Sequence, residues 1–205
     1  MPLTPVTLTG RHVRLEPLAA AHADALVRNG ADAEVWRWMP SLRDDPRKSV
    51  RAWCETVMPM HARGEMVAFA IVDLARGPSS QGSDAASEAV GGTTFFDYSE
   101  AHRRVEVGYT WLAKSAWRSA INTECKYLLL RHAFEVLGLN RVQFKTDARN
   151  VRSQTAITRL GAVREGVLRS HMMMPDGWVR DSVMFSIVAA EWPVVKARLE
   201  GWLAR

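Results

Sequence analysis

The segment Met66–Leu74 (MVAFAIVDL) restricts the fold of this chain more than any other part of the sequence. Its residues are almost all apolar and do not alternate with polar ones, a pattern typical of a central strand that is covered on both faces. Residues 75–89, which follow it, are mostly small or polar. We expect this stretch to be a mobile loop between two strands rather than a domain linker, because strand patterns resume directly after it.

Strand and helix patterns alternate along the rest of the chain. Strand patterns lie at Val13–Leu18, Met66–Leu74, Val90–Tyr98, Arg104–Leu112, Arg141–Asp147, Ala162–Met174 and Trp178–Ala189. Helical patterns lie at Ala19–Gly30, Asp45–Arg63, Ile121–Leu137, Asn150–Leu160 and Glu191–Leu203. The sequence has no internal repeat and no shift in composition that would divide it. We therefore predict a single mixed α/β domain that spans residues 1–205.

The composition argues against several classes of protein. The 205 residues are enough for a domain with a core of its own. Cys54 and Cys125 are too few for a disulfide framework, and neither they nor the histidines show metal-ligand spacing, so we expect no metal site. No apolar stretch is long enough for a membrane span and no signal peptide is evident, so we expect a cytoplasmic protein. The net charge of +5 comes from scattered residues and does not predict nucleic-acid binding.

The segment between the strand Arg104–Leu112 and the helix starting at Ile121 has the features of an anion-binding site. The first turn of a helix has four N–H groups without helical partners and carries the positive end of the helix dipole. Ser119 and Asn122 are candidate caps, and Arg118 adds a positive charge. A well-capped ordinary connection has the same features, so this segment alone does not establish a ligand site.

A second candidate site follows the strand that ends at Asp147. Asn150 and Ser153 begin the next helix, near the end of the sheet where α/β proteins usually bind ligands. From the residues alone, an N-cap role for Asn150 is the simpler interpretation. The third candidate is Glu106 in the strand RVEVGYTW, because a carboxylate in a central strand is costly to bury without a partner or a function.

Alternation along the strand that contains Glu106 predicts its two faces. One face carries Val105, Val107, Tyr109 and Trp111, and the other carries Glu106, Gly108 and Thr110. A solvated face is the alternative explanation for Glu106. Gly108 weakens the strand and is a residue that often marks a bulge or a close approach by a ligand.

Four segments in this order resemble a known superfamily. They are VEVGYTW, WRSAINTECKYLLLRHAFE, TDARNVRSQTAITRLGAVREGVLR and DGWVRDSVMFSIVAAEWP. The chain resembles the Gcn5-related N-acetyltransferases (GNAT), in particular the RimJ/RimL-like ribosomal-protein N-acetyltransferases, from about Thr9 to Trp192. The resemblance implies a twisted, mostly antiparallel mixed sheet of about seven strands, with helices on both faces and the fourth and fifth strands splayed apart. It also implies an enzyme that moves an acetyl group from acetyl-CoA to a primary amine.

The resemblance assigns acetyl-CoA to the space between the splayed strands. It implies that the pantetheine arm pairs with the backbone around Val107–Trp111 and that the pyrophosphate lies on the amides that open the helix at Ile121. A backbone N–H near Val107 would stabilise the oxyanion. The cofactor contacts implied in this way are Val107, Gly108, Tyr109, Trp111, Arg118, Ser119, Ala120, Ile121, Asn122, Thr123, Asn150 and Ser153. Ser153 would also lie near the sulfur, able to protonate or hydrogen-bond the departing thiolate.

The sequence departs from the family pattern at the phosphate loop. Ala120 and Asn122 stand at the usual glycine positions, or else Arg118 is the basic residue of a loop that is one residue shorter. Glycine lets a backbone come very near a phosphate, so we expect retained but weakened cofactor binding. A second departure lies near residues 171–174, where some relatives carry a carboxylate as the base and this chain has methionines.

That departure leaves Glu106 as the expected general base, acting through a water, with Asp147 and His171 as alternatives. The resemblance places the acceptor amine between the first two helices and the last hairpin. Trp36, Trp38 and His171 are the expected contacts there, although both tryptophans could equally be core residues.

The acceptor is expected to be a protein N-terminus or a small-molecule amine. A non-catalytic acyl-CoA-binding module with a degenerate phosphate loop is the alternative from another class, and an RNA-binding protein has only the net charge in its favour. The long C-terminal hairpin also suggests a homodimer.

Overall fold

A computed structural model describes residues 3–75 and 88–205, so most of the loop predicted at residues 75–89 lies outside the described residues. The strands are β1 (Leu8–Thr9), β2 (Val13–Pro17), β3 (Val67–Asp73), β4 (Ala89–Ser99), β5 (Arg104–Leu112), β6 (Arg141–Asp147), β7 (Val163–Met173) and β8 (Val179–Val188). The helices are α1 (Ala23–Asn29), α2 (Ala33–Trp36), α3 (Pro46–Ala62), α4 (Ala120–Arg131), α5 (Val151–Leu160) and α6 (Trp192–Leu203). None of the described helices is long and apolar enough to cross a bilayer.

The strands form one mixed sheet in the order β1-β2-β3-β4-β5-β6-β8-β7. All neighbours are antiparallel except β5 and β6, which are parallel. Among the described residues the sheet has eight strands, compared with the prediction of about seven. The additional strand is β1, whose two residues pair with Arg14 and Leu15 of β2 and are too few to show an alternating pattern.

Each face of the sheet is covered by its own helices. On one face, called the α4 face here, Phe69, Phe95 and Val107 of the strands pack in one cluster with Leu128 and Leu129 of α4, and α6 joins the same cluster. On the opposite face, called the α3 face, a second cluster contains tryptophans from α2, α3 and β5. The predicted α/β class with helices on both faces is therefore confirmed.

The α3 face is mostly apolar over β3–β5, with Glu106 of β5 as an exception, and mostly polar over β6 and β8. Alternation puts Val142 and Phe144 of β6 into the core of the α4 face. Their neighbours Gln143, Lys145 and Asp147 point the opposite way and are polar, and they pair with Ser186, Met184 and Ser182 of β8, of which only Met184 is apolar. This polar strip consists of Glu106, Gln143, Lys145, Asp147, Arg180 and Ser182.

Local sequence signals explain where the helices begin and end. Asp45 caps α3 by accepting a hydrogen bond from the N–H of Arg47, and Gly64, with φ of +74°, follows its last turn. The long helix predicted over Ile121–Leu137 is α-helical only to Arg131 and continues as a π-helix. Because a π-turn adds a residue, the predicted apolar stripe does not reach Val136, which is 59% exposed.

Candidate active site

A wedge opens between β5 and β6. The two strands pair only over Arg104–Glu106 and Arg141–Gln143, although β5 continues to Leu112 and β6 to Asp147. Because parallel strands end at the same edge of a sheet, α4 and α5, which follow them, begin at the open end of the wedge. The splayed central strands that the resemblance implied are therefore present.

A β-bulge shapes the wall of the wedge on β5. β5 takes three residue steps from Gly108 to Trp111, whereas the paired segment of β4 takes two. Within the bulge, Tyr109 has a φ of +48°. The extra residue reverses the alternation. Val105 and Val107 lie in the core of the α4 face, whereas Tyr109 and Trp111 pack on the α3 face. The prediction that these four residues share one face is wrong for this reason.

Side chains from both faces hold the bulge in place. The indole N–H of Trp53 donates to the carbonyl oxygen of Tyr109 at 2.9 Å, and the Thr94 hydroxyl donates to that of Gly108 at 3.1 Å. From the α4 face, the buried ammonium of Lys126 donates to the Thr110 hydroxyl at 2.8 Å. Burial lowers the pKa of Lys126. The backbone that the resemblance assigns to the pantetheine arm is thus fixed by the fold.

The N-terminus of α4 is accessible at the open end of the wedge. Ser119 is its N-cap and accepts from the N–H of Ile121 at 3.3 Å. Arg118 and Ser119 are exposed, Ala120 and Asn122 are half-buried, and the side chains of Ile121 and Thr123 are buried. The conformation of Arg118 is left-handed, with a φ of +60°, which favours glycine.

Glu106 lies where the wedge begins, and its side chain is 2% exposed. Its Oε2 accepts from Gln143 Nε2 and from Lys145 Nζ, both at 3.2 Å. Its Oε1 is buried and has no hydrogen-bond partner among the described residues. Burial raises the pKa of Glu106, and the nearby ammonium of Lys145 only partly opposes this. The carboxyl group therefore has one free oxygen and an increased affinity for a proton.

Asp147 and His171, the alternative bases, have different surroundings. The guanidinium of Arg149 binds both oxygens of Asp147, at 3.0 and 2.8 Å, and holds the pKa of this carboxyl below its usual value although burial alone would raise it. His171 is exposed, and its Nδ1 lies 3.0 Å from the Ser182 hydroxyl. Partial burial of the imidazole ring lowers the pKa of His171, and the positive charges of Lys145 and Arg180 lower it further. Glu106 is the group best suited to accept a proton.

Asn150 and Ser153 begin α5 on the other side of the wedge. Asn150 is the N-cap, with its Oδ1 accepting from the N–H of Ser153 at 3.0 Å, so the simpler interpretation from the sequence is correct for its carbonyl oxygen. In the first turn of α5, the guanidinium of Arg152 stacks on Trp117 of the loop before α4, and its central carbon lies 3.6 Å from the centre of the indole ring. This contact joins the two segments that begin the two helices.

The two tryptophans predicted for the acceptor pocket have different roles. Trp36 is 0% exposed, donates to the carbonyl of Gly30 and packs against Trp111, so it belongs to the core rather than to a pocket wall. Trp38 is half-buried and contacts the guanidinium of Arg149, which also stacks on the exposed Trp178 of the β7–β8 turn. Trp38 thus lies at the surface beside the polar strip.

The thiols are not part of this site. Cys54 is half-buried and Cys125 is buried, and burial raises the pKa of each to about 11. Both lie on the apolar helix faces that the sequence pattern predicted.

Three buried charged residues were not identified from the sequence. Glu124 accepts backbone N–H groups of residues 11–13, and Lys126 supports the bulge. Arg180 lies in the polar strip and is 5% exposed. The alternation in VRDSVMFSIV, which sets Arg180 and Ser182 opposite Val183 and Phe185, is the signal that could have indicated this strip.

Comparison with known proteins supports the same family. Residues 12–163 match the family model described as an acetyltransferase (GNAT) domain. The uncharacterised N-acetyltransferase p20 of Bacillus licheniformis is 24% identical over 186 residues, which are 91% of this chain and 98% of that protein. A crystal structure from T. thermophilus, described as a candidate acetyltransferase, is 44% identical with a TM-score of 0.83, covering 99% of this chain and 100% of its own.

The fold is also similar to that of RimJ from Mycobacterium smegmatis, solved in complex with CoA-disulfide. That structure is 24% identical, has a TM-score of 0.78 and covers 97% of this chain and 95% of its own. The family match covers most of the chain and includes both strands of the wedge and the start of α4. The chain therefore belongs to the GNAT family of acetyltransferases.

Proposed function

We propose that this acetyltransferase moves the acetyl group of acetyl-CoA to a primary amine by direct attack in a ternary complex. The observation that carries the proposal is Glu106, a buried carboxyl group with a raised pKa and a free oxygen at the beginning of the wedge. Membership of the family supports acetyl transfer in general. The wedge and the helix N-terminus beside it support acetyl-CoA as the donor.

The residues around the wedge fit acetyl-CoA. Beyond Glu106, β5 makes no ladder pairs with β6, so the backbone of residues 107–111 has an edge to which a pantetheine arm can pair. The amides of residues 120–123 would receive the pyrophosphate, and Arg118 adds a positive charge. Each favourable charge at a helix N-terminus is worth about 0.3–1 kcal/mol. The methyl of Ala120 and the side chain of Asn122 reduce how near a phosphate can come, so we expect weakened but retained affinity.

In the proposed reaction, acetyl-CoA supplies an acetyl group activated as a thioester. Glu106 accepts a proton from the acceptor ammonium through a water, and its raised pKa suits this transfer better than an ordinary carboxylate would. A backbone N–H near Val107 donates to the oxygen on which negative charge develops. Ser153 donates its hydroxyl proton to the departing sulfur and regains a proton from the attacking nitrogen, which must lose its second proton as the amide forms. The amine nitrogen thereby forms a bond to the carbonyl carbon while the carbon–sulfur bond breaks.

The proposed acceptor approaches along the polar strip, where Trp38 and His171 are the expected contacts. Protein N-termini and small-molecule amines both fit this proposal. A similar protein of Bacillus subtilis, described as a candidate ribosomal N-acetyltransferase, supports the former.

The test is release of free CoA thiol from acetyl-CoA in the presence of a panel of amines that includes amino acids, polyamines and peptides with free N-termini. The proposal predicts that at least one class accelerates thiol release and is recovered in acetylated form. If acetyl-CoA binds, as detected by thermal shift, but no amine accelerates the release, the protein is a binding module instead.

We also infer that the protein forms a homodimer through β7. This edge strand pairs only with β8 among the described strands, and its surface includes exposed apolar side chains: Val163, Val167, Leu168 and Met173. An unpaired apolar edge is a ready site for association. Analytical ultracentrifugation tests this, with Val167→Lys as the variant that should dissociate the dimer. A monomeric wild-type protein contradicts it.

A further inference from the structure

Arg180 is a buried cation with no carboxylate in direct contact among the described residues. It is 5% exposed and lies on β8, two residues before Ser182. Its Nε donates to the Ser182 hydroxyl at 3.0 Å, and the described structure gives its guanidinium no other hydrogen bond and no carboxylate within 4 Å. A guanidinium has five N–H donors, so most of this group's hydrogen-bonding capacity is not used by the protein.

The carboxylates nearest to Arg180 are bound to other cations. Asp147 is occupied on both oxygens by Arg149, and Glu106 accepts from Lys145 and Gln143 on one oxygen. Lys145 of the strip and the flanking Arg149 thus each have a carboxylate partner within 4 Å, and Arg180 has none within the described part of the chain. The unmatched positive charge is on Arg180, which is the most buried of the three cations.

Two other arginines of this protein form ion pairs with two hydrogen bonds each, and Arg180 forms no such pair with any described residue. Arg149 binds Asp147 with two hydrogen bonds, and Arg141 binds Glu165 in the same way, with both distances at 2.5 Å. Burying a guanidinium without such a partner is costly, and burial lowers the pKa of Arg180. The fold therefore keeps at this position an arrangement that is unfavourable for stability, as binding sites commonly do.

The direction of the side chain places the guanidinium on the acceptor side of the wedge. Its hydrogen bond to Ser182 shows that it leans along β8 toward that residue, and Ser182 is paired with Asp147 at the end of β6. There it interacts electrostatically with both Asp147 and Glu106. When Glu106 deprotonates the amine of an acceptor, the groups next to that amine would therefore be close enough to interact electrostatically with the guanidinium of Arg180.

We propose that Arg180 binds a carboxylate that the acceptor carries close to its reactive amine. This inference rests on the proposed function and narrows its substrate class to amines with a neighbouring carboxylate. Guanidinium and carboxylate form a paired, charge-assisted contact that supplies the missing partner. Two sources of this chemistry exist: a free amino acid, and a peptide whose N-terminal residue has an acidic side chain.

The experiment compares acceptors that differ only in the carboxylate. Thiol release is measured with free amino acids against their carboxamides, and with peptide amides that begin with aspartate or glutamate against those that begin with asparagine or glutamine. The wild-type enzyme should prefer the acid of at least one pair by about tenfold or more in kcat/KM, and the pair that shows the preference identifies the source.

Three variants assign that preference to Arg180. Arg180→Gln should abolish it, mainly through a higher KM for the acid, while KM for acetyl-CoA stays the same. Arg180→Lys keeps the positive charge but lacks the two parallel N–H donors of the guanidinium, and it should retain part of the preference for the acid. Arg198→Gln, which removes an exposed arginine from α6 on the opposite face of the sheet, is the matched control and should behave as wild type.

Stability separates binding from a structural role. If Arg180 serves a ligand, Arg180→Gln should keep or raise the Tm, because it removes an uncompensated buried charge. A clear fall in Tm in both Arg180 variants indicates a structural anchor and overturns the inference. Equal use of acid and amide acceptors by the wild-type enzyme also overturns it but leaves the proposed function intact. No thiol release with any amine contradicts both.

Discussion

The indole N–H of Trp53, in the middle of α3, donates to the carbonyl oxygen of Tyr109 at the β-bulge of β5. Gly92 on β4 makes room for this indole, because a Cβ at that position would overlap the ring. A core residue of one helix therefore determines the backbone geometry at the wall of the wedge.

Replacing Trp53 with phenylalanine should reduce both stability and turnover. The carbonyl of Tyr109 loses its donor, which costs about 1–2 kcal/mol of unfolding free energy. Turnover should fall by about tenfold or more, because the bulge positions the reacting groups. Trp192→Phe is the matched control, since it removes an indole hydrogen bond to Glu135 away from the wedge. Urea denaturation and thiol release measure the two effects. Normal turnover in Trp53→Phe contradicts the role of the bulge.

Glu106→Gln should lower turnover by about 10²- to 10⁴-fold with little change in acetyl-CoA affinity. In the wild-type enzyme kcat/KM should rise with pH through the raised pKa of Glu106, because the protonated carboxyl group cannot accept the proton of the ammonium. The variant should lack this inflection. Glu65→Gln, at an exposed ion pair with Arg63, is the control. Identical pH profiles for wild type and Glu106→Gln remove Glu106 from the mechanism.

The same carboxyl group should make stability depend on pH. Its native pKa lies above the ordinary value of 4.5, so protonation of Glu106 favours the folded state, and this contribution is lost as pH rises through the native pKa. The unfolding free energy of Glu106→Gln relative to wild type should therefore increase as pH rises from 4.5 and then level off. Urea denaturation at several pH values measures it, and a difference that does not vary with pH disproves the raised pKa.

Gly10→Ala should destabilise the protein. A Cβ there would overlap the carboxyl group of Glu124, and this side chain cannot move freely because it binds three backbone N–H groups of residues 11–13. We expect a loss of about 1–3 kcal/mol in unfolding free energy. Gly201→Ala in α6 meets no atom within 4 Å and should instead stabilise by about 0.5–1 kcal/mol. Equal effects of the two substitutions would show that Glu124 does not constrain this turn.

Ala120→Gly should strengthen acetyl-CoA binding. Removing the methyl group lets the backbone approach the pyrophosphate, so the Kd measured by calorimetry should fall by severalfold, while kcat changes little. Ala156→Gly in α5 controls for the general effect of a glycine in a helix. An unchanged or higher Kd in Ala120→Gly places the phosphates elsewhere.

The bounds of β5 and β6 agree with the sequence-based prediction because regular alternation and apolar runs are local properties. The bulge at Tyr109 was missed because a single inserted residue leaves no periodic trace, although Gly108 beside it was recognised as a point of irregularity. The faces of Tyr109 and Trp111 were misassigned as a result.

The roles of Trp36 and Trp38 could not be separated in the sequence. They stand two residues apart and are chemically identical, and only the short helix α2 directs Trp36 into the core. Arg180 was missed for a related reason. Alternation predicts its face, but its lack of a carboxylate partner depends on how Arg149 and Lys145 are paired by the tertiary structure.

We propose that acetyl-CoA lies in the wedge with its pyrophosphate on the amides of α4. An amide NMR titration of isotope-labelled protein with CoA tests it most directly, since it reports on each backbone N–H separately. If CoA binds in the wedge, the largest chemical-shift changes should fall on the amides of residues 107–111 and 119–123. Saturable binding that leaves both groups of amides unchanged contradicts it.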